Sequence, residues 1–461
     1  MIVFTLSNSP FEVVSSCFSV SLVFRRSGSS FPQSPGHGRF VRLFPFVISK
    51  IRELYQEHNG KDVIPNQDMY AIDEAEYLNI LDSLHDESFR FLPLYRVFIP
   101  KPGRPGQFRP ITIPNPKDVL VMDALGAVLS KLYEAIFLDC SHGFRKERGT
   151  RTCYWAVLGW KDVHYCINAD VVSCFDVIPH ARLLESLGHV VDDPKLLHLI
   201  SFFLTTPIMD KKGIRYDGAD KGLPQGCPLS PVLMNIYMHE LDMKVHTFLA
   251  GSPYVHYVRY ADNIFVGVCG VKLIKQEIIL EKLNSFVADL ELSLTISIHE
   301  KGGPCPMRTS GFAPSFLFLG ILIKLYADGH ITLFAPLPRI ENKITTIRET
   351  HKALITPITD PGDLEKHQKS VIEFYSHKLV SYLAFYCQSH NSHKTKELLR
   401  QKMLTACLLH LAKISSTSLA TIKKQWGPAL DRAPVPFITR KQTDSALKNI
   451  LMKFHREQKS F

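Results

Sequence analysis

Two aspartates, each at the end of an apolar stretch, are the residues best placed to do chemistry. Asp170 closes "YCINAD", a pattern typical of a strand fit for burial, and Asp262 lies at the tip of "VRYADN". A turn by itself explains Asp262 and Asn263, because Asp and Asn side chains tolerate turn geometry. It does not explain Asp170, and a buried carboxylate needs a partner. Two converging carboxylates commonly bind divalent cations.

Paired divalent cations support one well-defined reaction. Two of them, held about 3.5–4 Å apart, can activate a 3′-hydroxyl and stabilise a departing pyrophosphate. If the segments that end at Asp170 and Asp262 lie side by side in the fold, the sequence predicts nucleotidyl transfer.

The elements that must position these aspartates are a mixture of strands and helices. Two β-rich runs flank a Pro/Gly turn and predict a hairpin with strands at Tyr95–Ile99 and Phe108–Ile113. After Pro336 the pattern is helical to the end. Every fourth position there, from Leu399 to Leu411, is apolar, and this spacing predicts one buried helix face made of Leu399, Met403, Cys407 and Leu411.

Length, composition and charge limit the class of protein. The 461 residues predict two to three domains, and 45% hydrophobic content is that of a globular chain. No apolar run reaches the roughly 18–20 residues of a membrane-spanning helix, so no membrane partner is expected. The ten cysteines include no CxxC pair, which excludes a zinc ribbon of that spacing.

The positive charge is concentrated in the C-terminal part. Residues 341–461 contain 20 Lys and Arg against 10 Asp and Glu, whereas the rest of the chain is balanced. This distribution predicts either a surface for phosphate backbones or an ordinary solvated helical surface.

Residues 1–50 differ from the rest of the chain in composition. They are rich in Ser, contain several Arg residues and hold one acid, Glu12. This composition is typical of an organelle transit peptide, and an upstream extension of an organellar or bacterial reading frame is the alternative. We therefore expect a mitochondrial protein, with the plastid or a bacterial cytoplasm as alternatives.

Six blocks follow one another in a specific order. They are "SFRFLPLYRVFIPKPG…RPITIP", "CSHGFRKERGT", "NADVVSCFDVIPH", "KGLPQGCPLSPVLMNIYMHELD", "YVRYADN" and "FLFLG". With these blocks the chain resembles the reverse transcriptases of group II introns, the intron-encoded maturases of bacteria and organelles, over roughly residues 89–430. A retron-type relative is a weaker alternative, against which "PQGCPLSPVLMNIY" counts.

The resemblance implies an α+β right-hand polymerase fold. Residues 1–50 would be the N-terminal extension, and residues 51–336 would form the fingers and a palm with an antiparallel sheet. A helical thumb, called domain X in maturases, would occupy residues 337–435, followed by a basic tail at residues 436–461. The implied function is an RNA-directed DNA polymerase and maturase. It would bind group II intron RNA to promote splicing and would extend a DNA primer on an RNA template with dNTPs.

The resemblance also implies roles for individual residues. Asp170, Asp262 and the backbone carbonyl of Val171 would bind two Mg²⁺ ions, with Mn²⁺ as a substitute. The residues that match nucleotide-binding positions are Lys101, Arg109, Phe175 and Gln225. Those that match nucleic-acid contacts are Arg145, Lys402, Lys413, Lys423 and Lys424. Gly143 and Phe144 belong to the same template-associated block as Arg145, and Gly320 matches a turn under the primer end.

Each of these residues also has a simpler interpretation. Lys101 and Arg109 could belong to an exposed basic hairpin, Phe175 to a core, and any single lysine to a solvated surface.

One position departs from the family pattern. The turn usually reads Tyr-Ala-Asp-Asp, but its last position is Asn263 here, and an amide brings no charge to a metal. Two functions therefore stay open: a polymerase weakened by Asn263, and an RNA-binding splicing cofactor that has lost catalysis. The basic C-terminal part supports both.

Overall fold

The protein is described from a computed structural model. The residues that the structure describes are 42–59, 72–100, 106–210, 213, 215–216, 220–249, 254–269, 276–297, 305–306, 315–326, 328–354 and 360–424. None of the helices within these ranges is both long enough and apolar enough to cross a membrane.

The helices and strands alternate irregularly along the first three quarters of the chain, and helices follow the last strand. In chain order the elements are α1 (Phe44–Asn59), α2 (Glu74–His85), β1 (Leu94–Pro100), β2 (Phe108–Ile113), α3 (Pro116–Glu134), α4 (Thr150–Leu158), β3 (Val163–Val171), α5 (Cys174–Val177), α6 (His180–Gly188), α7 (Pro194–Leu204), β4 (Ile208–Met209), β5 (Arg215–Tyr216), α8 (Ser230–Leu249), β6 (Val255–Tyr260), β7 (Asn263–Cys269), α9 (Gln276–Ala288), β8 (Leu294–Ser297), β9 (Cys305–Pro306), β10 (Ser315–Phe318), β11 (Ile321–Leu325), β12 (Ile331–Phe334), α10 (Leu337–Leu354), α11 (Pro361–Tyr386) and α12 (Ser392–Ile414).

The strands form three sheets. The hydrogen-bonded orders are β2-β1-β4-β5, β10-β11-β12 and β6-β7-β3-β8, and β9 pairs with β3. The predicted hairpin is confirmed: β1 and β2 are antiparallel, with Tyr95 opposite Ile113 and Ile99 opposite Arg109. Mixed helices and largely antiparallel sheets confirm the predicted α+β class.

The chain divides into two compact units. The first comprises Met1–Cys153, Ala169–Val266 and Lys272–Ile296, and the second Tyr154–Asn168, Gly267–Val271 and Ser297–Phe461. The domain boundaries predicted at residues 50, 336 and 435 stay predictions.

Each unit has its own apolar core. In the first unit α3 and α8 both contribute buried residues to the core, and the Tyr237 hydroxyl of α8 donates to the carbonyl of Leu290 at 2.6 Å. In the second unit α10 and α11 both pack against α12. The predicted face of α12 is confirmed, because all four of its apolar residues are fully buried: Leu399, Met403, Cys407 and Leu411.

A buried carboxylate lies near the N-terminus of α3. Asp118 is fully buried, and its Oδ2 accepts a 2.7 Å hydrogen bond from the backbone amide of Leu92, just before β1. Its Oδ1 has no hydrogen-bond partner among the described residues. Burial raises the pKa of Asp118 to about 6, although the Leu92 amide and the charge of Lys117 oppose that rise.

We expect Asp118 to make stability depend on pH. The folded protein keeps this carboxyl protonated up to about pH 6, whereas an ordinary Asp releases its proton near pH 3.8. Stability therefore falls by up to about 3 kcal/mol as the pH rises through that interval. Asp118→Asn removes this dependence. In thermal unfolding measured from pH 4 to 7, the melting temperature of the variant should therefore rise relative to that of the wild type as the pH rises.

The matched control is Asp82→Asn, which changes an exposed aspartate of α2. Its melting temperature should follow that of the wild type throughout. If the melting temperatures of the wild type and Asp118→Asn change with pH in the same way, the raised pKa of Asp118 is contradicted.

Candidate active site

The backbones that carry the two aspartates lie side by side. Asp170 is the penultimate residue of β3, and Asp262 is in the two-residue turn between β6 and β7. The amide of Val171 donates to the carbonyl of Asp262 at 3.0 Å. Burial and, to a smaller extent, the charges of Asp262 and Asp170 raise the pKa of the Cys174 thiol to about 12. Both carboxylates therefore act on one small region of the first unit.

The two carboxylates differ in exposure. Asp170 is exposed, which corrects the expectation that a strand fit for burial would bury it. The strand alternates, so Ala169 and Val171 are buried while the side chain between them is not. Asp262 is half-buried, and burial raises its pKa. Its own backbone amide, the Asn263 side chain and the charges of Arg109 and Arg259 oppose that rise.

Asn263 is bonded to the carboxylate next to it. Its Nδ2 donates to Oδ1 of Asp262 at 3.0 Å. The amide therefore contributes a hydrogen bond where a second aspartate would contribute a negative charge. The described residues contain no cluster of three or more His, Cys, Asp and Glu side chains that could hold a metal ion. Asp170, Asp262 and the backbone of Val171 carry carboxylate and carbonyl oxygens, a donor type that suits hard cations such as Mg²⁺.

A buried arginine holds the turn in place. Arg259 and Asp242 are both fully buried, and Nε and Nη2 donate to the Asp242 carboxylate at 2.8 and 2.6 Å. Nη1 donates to Asn235 Oδ1 at 3.1 Å and to the carbonyl of Ala261 at 2.9 Å. Nη2 also donates to Ser141 Oγ at 2.9 Å. All five N–H donors of the guanidinium are therefore used, and one of them fixes the residue before Asp262.

Sequence reasoning missed this arginine. The sequence feature that points to it is a charged residue inside the strand pattern "YVRYADN". A buried arginine requires a buried acid as its partner. The acid is in "HELDMKV" of α8, where Asp242 also accepts a 2.9 Å hydrogen bond from the Tyr257 hydroxyl.

The loop around Gly143 lies directly against the same turn. A Cβ added at Gly143 would collide with the backbone nitrogen of Ala261, so only glycine fits this approach. The Gly143 carbonyl accepts a 2.6 Å hydrogen bond from Nδ2 of Asn235. The amide of His142 donates to the carbonyl of Arg259 at 2.9 Å. The loop and the turn are thus held by one shared network.

Arg145 is a correction to the sequence prediction. Its side chain is buried and forms a bidentate pair with Glu134, at 3.1 Å from Nε and 2.7 Å from Nη2. Its Nη1 donates to the carbonyls of Leu138 and Ser141 at 2.7 and 2.8 Å. Because its guanidinium is buried and bonded to Glu134 and to these two carbonyls, Arg145 stabilises the loop that follows α3 and is not placed to contact nucleic acid.

Gln225 is held by both its backbone and its side chain. The amide and hydroxyl of Thr112 in β2 donate to the Gln225 carbonyl at 2.6 and 2.8 Å. Its own Nε2 donates to Oδ1 of Asp176 at 3.2 Å. The next residue, Gly226, has φ +113°, and a Cβ there would collide with the Thr112 carbonyl.

The other candidates of the first unit lie on short elements. Phe175, in α5, is half-buried, and its ring contacts that of Phe144 edge-to-face with centroids 6.4 Å apart. Arg109 is exposed on β2 and acts electrostatically on Asp262. Lys101 lies outside the described residues.

The candidates of the second unit are on or beyond α12. Lys402 is exposed and pairs with Glu341 at 3.3 Å, and Lys423 and Lys424 are exposed. Lys413 is half-buried and lines a cavity of about 270 Å³.

The turn at Gly320 in the second unit is also well held. Gly320 has φ +95°, and the ring of Phe385 lies 3.5 Å from where its Cβ would be. The hydroxyl of Tyr154 donates to the carbonyl of Leu319 at 2.9 Å.

Comparison with known proteins identifies the domain that contains both aspartates. The sequence model of the family described as "Reverse transcriptase (RNA-dependent DNA polymerase)" matches residues 99–297. Residues 99–297 therefore carry the reverse transcriptase domain that this family model describes.

Two similar proteins are named for introns. It is 37% identical over 164 residues to the "Uncharacterized 91 kDa protein in cob intron" of Schizosaccharomyces pombe, covering 35% of this chain and 20% of that protein. It is 34% identical over 170 residues to "Group II intron-encoded protein LtrA" of Lactococcus lactis, covering 37% of this chain and 28% of that protein. The matches thus span about a fifth to somewhat over a quarter of these relatives.

A solved structure is also similar. Apo telomerase from Candida tropicalis aligns at 17% identity with a TM-score of 0.42, covering 73% of this chain and 58% of that chain.

The reverse transcriptase domain should tolerate no side chain at Gly143. Gly143→Ala would push the loop away from Ala261, and overpacking of this kind typically costs about 1–3 kcal/mol. A fall in melting temperature of about 3–10 °C is expected in thermal unfolding.

Gly149→Ala is the matched control in the same loop, because a Cβ there meets nothing within 4 Å. Equal melting temperatures for the two variants would show that the loop does not press on the turn.

Proposed function

We propose that this protein is an RNA-directed DNA polymerase and maturase of the group II intron type. It extends a DNA primer on an RNA template with dNTPs, and it binds intron RNA to promote splicing. The observation that carries the polymerase proposal is the 3.0 Å hydrogen bond from the Val171 amide to the Asp262 carbonyl. This bond sets the backbones of both aspartates side by side within a reverse transcriptase domain.

The residues of the first unit divide the work of binding and positioning. Asp170, Asp262 and the carbonyl of Val171 would hold Mg²⁺, or Mn²⁺ in its place. When bound, two such ions supply the positive charge that activates a 3′-hydroxyl and stabilises a departing pyrophosphate. Arg109 and Lys101 bind the triphosphate of the incoming nucleotide as basic side chains of the fingers hairpin.

Two further residues select and align that nucleotide. Gln225 contacts it from a loop that Thr112 fixes to β2. Phe175 lies beneath the sugar, where a ring excludes a 2′-hydroxyl and so favours deoxynucleotides.

The basic C-terminal part binds RNA. The excess of ten positive charges in residues 341–461 attracts phosphate backbones, and each phosphate that a lysine neutralises steepens the salt dependence of binding. The proposed contacts on this surface are Lys402, Lys413, Lys423 and Lys424. Lys402 must share its charge with Glu341, whereas the exposed Lys423 and Lys424 adjoin the basic sequence that follows.

A second candidate function rests on Asn263. Its amide occupies Oδ1 of Asp262 and brings no charge, so the site offers two carboxylates to two divalent cations. A protein with this site could act as an RNA-binding splicing cofactor without polymerase activity.

The mitochondrion is the proposed location, supported by the composition of residues 1–50.

Primer extension on poly(rA)/oligo(dT) with Mg²⁺ or Mn²⁺ tests the polymerase proposal. The wild type should extend weakly, and Asn263→Asp should raise the rate about tenfold or more, since it restores a charged oxygen donor beside Asp262. Asp262→Ala should abolish extension. Asp192→Asn, which changes an exposed aspartate before α7, is the control and should leave the rate unchanged.

If neither the wild type nor Asn263→Asp extends the primer with either metal, the polymerase proposal is wrong. RNA binding without extension would then favour the splicing cofactor.

A further inference from the structure

Phe144 has an unusual backbone conformation for a bulky residue. Its φ is +56°, in the left-handed region that a Cβ disfavours. Its side chain is 51% exposed, so burial of the ring in a core does not explain the conformation.

The chain around Phe144 is bonded so that this conformation persists. On one side, the Gly143 carbonyl accepts from Asn235 and the His142 amide donates to Arg259. On the other side, the side chain of Arg145 donates to Glu134 of α3 and to the carbonyls of Leu138 and Ser141. Strained residues persist where their surroundings over-determine them, and they cluster at sites of function.

The ring of Phe144 contacts the ring of Phe175. Its centroid lies 6.4 Å from that of Phe175, with the planes at 87°, which is the favoured edge-to-face arrangement. Phe175 lies on the single turn of α5, which begins directly after Ser173, itself at φ +48°. A ring on so short an element needs lateral support to keep one orientation, and Phe144 supplies it from a loop that is anchored independently.

We propose that Phe144 is a positioning residue that holds the ring of Phe175 against the sugar of the incoming nucleotide. It thereby sets the discrimination between deoxyribonucleotides and ribonucleotides. This inference rests on the proposed polymerase function and on the sugar-facing role of Phe175 within it. The left-handed backbone of Phe144 thus accompanies an edge-to-face contact with that ring.

Single-nucleotide incorporation tests the inference through the ratio of kcat/KM for dTTP to kcat/KM for UTP on an rA template. An edge-to-face pair contributes a factor of about 2–12. Phe144→Leu should therefore lower the ratio about 3- to 10-fold, and Phe144→Tyr, which keeps the ring, should retain it. Phe46→Leu, at a half-exposed phenylalanine of α1, is the matched control and should not change the ratio.

Phe144→Asn separates positioning from folding. Asn tolerates the left-handed region better than Phe, so this variant should melt at a temperature equal to or above that of the wild type. Its dTTP/UTP ratio should nevertheless fall as in Phe144→Leu. A lower melting temperature together with an unchanged ratio would assign Phe144 a structural role only and overturn the inference.

A double-mutant cycle tests whether Phe144 acts through Phe175. In a Phe175→Ala background, Phe144→Leu should change the ratio less than 2-fold, because the ring to be positioned is gone. Independent, multiplicative effects would overturn the inference while leaving the polymerase proposal intact. Where the wild type is too slow, the series is measured in the Asn263→Asp background. Absence of dTTP incorporation in both backgrounds would overturn the polymerase proposal and, with it, this inference.

Discussion

The buried ion pair between Arg259 and Asp242 is the interaction on which the site depends. Neither side chain reaches solvent, and removing one partner of such a pair typically costs about 3–5 kcal/mol, because an unpaired charge is left in the interior. The guanidinium also donates to the carbonyl of Ala261, the residue before Asp262. The position of Asp262, one of the two proposed metal-binding carboxylates, is therefore fixed by a charge that is itself fully buried.

The same arginine joins three distant parts of the chain. It binds Asn235 of α8, Ser141 of the loop before α4 and the turn that follows β6. Asn235 in turn holds Gly143, which packs against that turn. The segments that would face template, sugar and metal are thus connected through backbone groups, and a shift in one of them displaces the others. Such coupling explains why the loop contains a glycine and a left-handed phenylalanine in succession.

Much of this arrangement could be predicted from the sequence, because it follows from local patterns. Two β-rich runs around a turn predicted the hairpin of β1 and β2, and helical periodicity predicted the buried face of α12. The ordered motifs indicated that Asp170 and Asp262 belong to one site, and their backbones do lie side by side. The partners of charged side chains could not be predicted in the same way. Arg145 could bind a phosphate or a carboxylate with equal ease, and its partner Glu134 is recognisable only once the loop is folded.

The exposure of Asp170 was mispredicted for a related reason. An apolar strand indicates burial on average, but the side chain at its end points to the face where the sheet is open to solvent, and the sequence does not say which face that is. The pairing of Arg259 with Asp242 was likewise invisible, since 17 positions separate two residues that meet only through packing of α8 on β6.

The central claim is that Asp170 and Asp262 bind the same divalent cation. A crystal structure of the protein grown with Mn²⁺, with anomalous diffraction recorded at the manganese edge, tests it most directly. The account predicts an anomalous peak within about 2.5 Å of a carboxylate oxygen from each of the two aspartates. A manganese ion bound by only one of them, with the other carboxylate directed elsewhere, would contradict it.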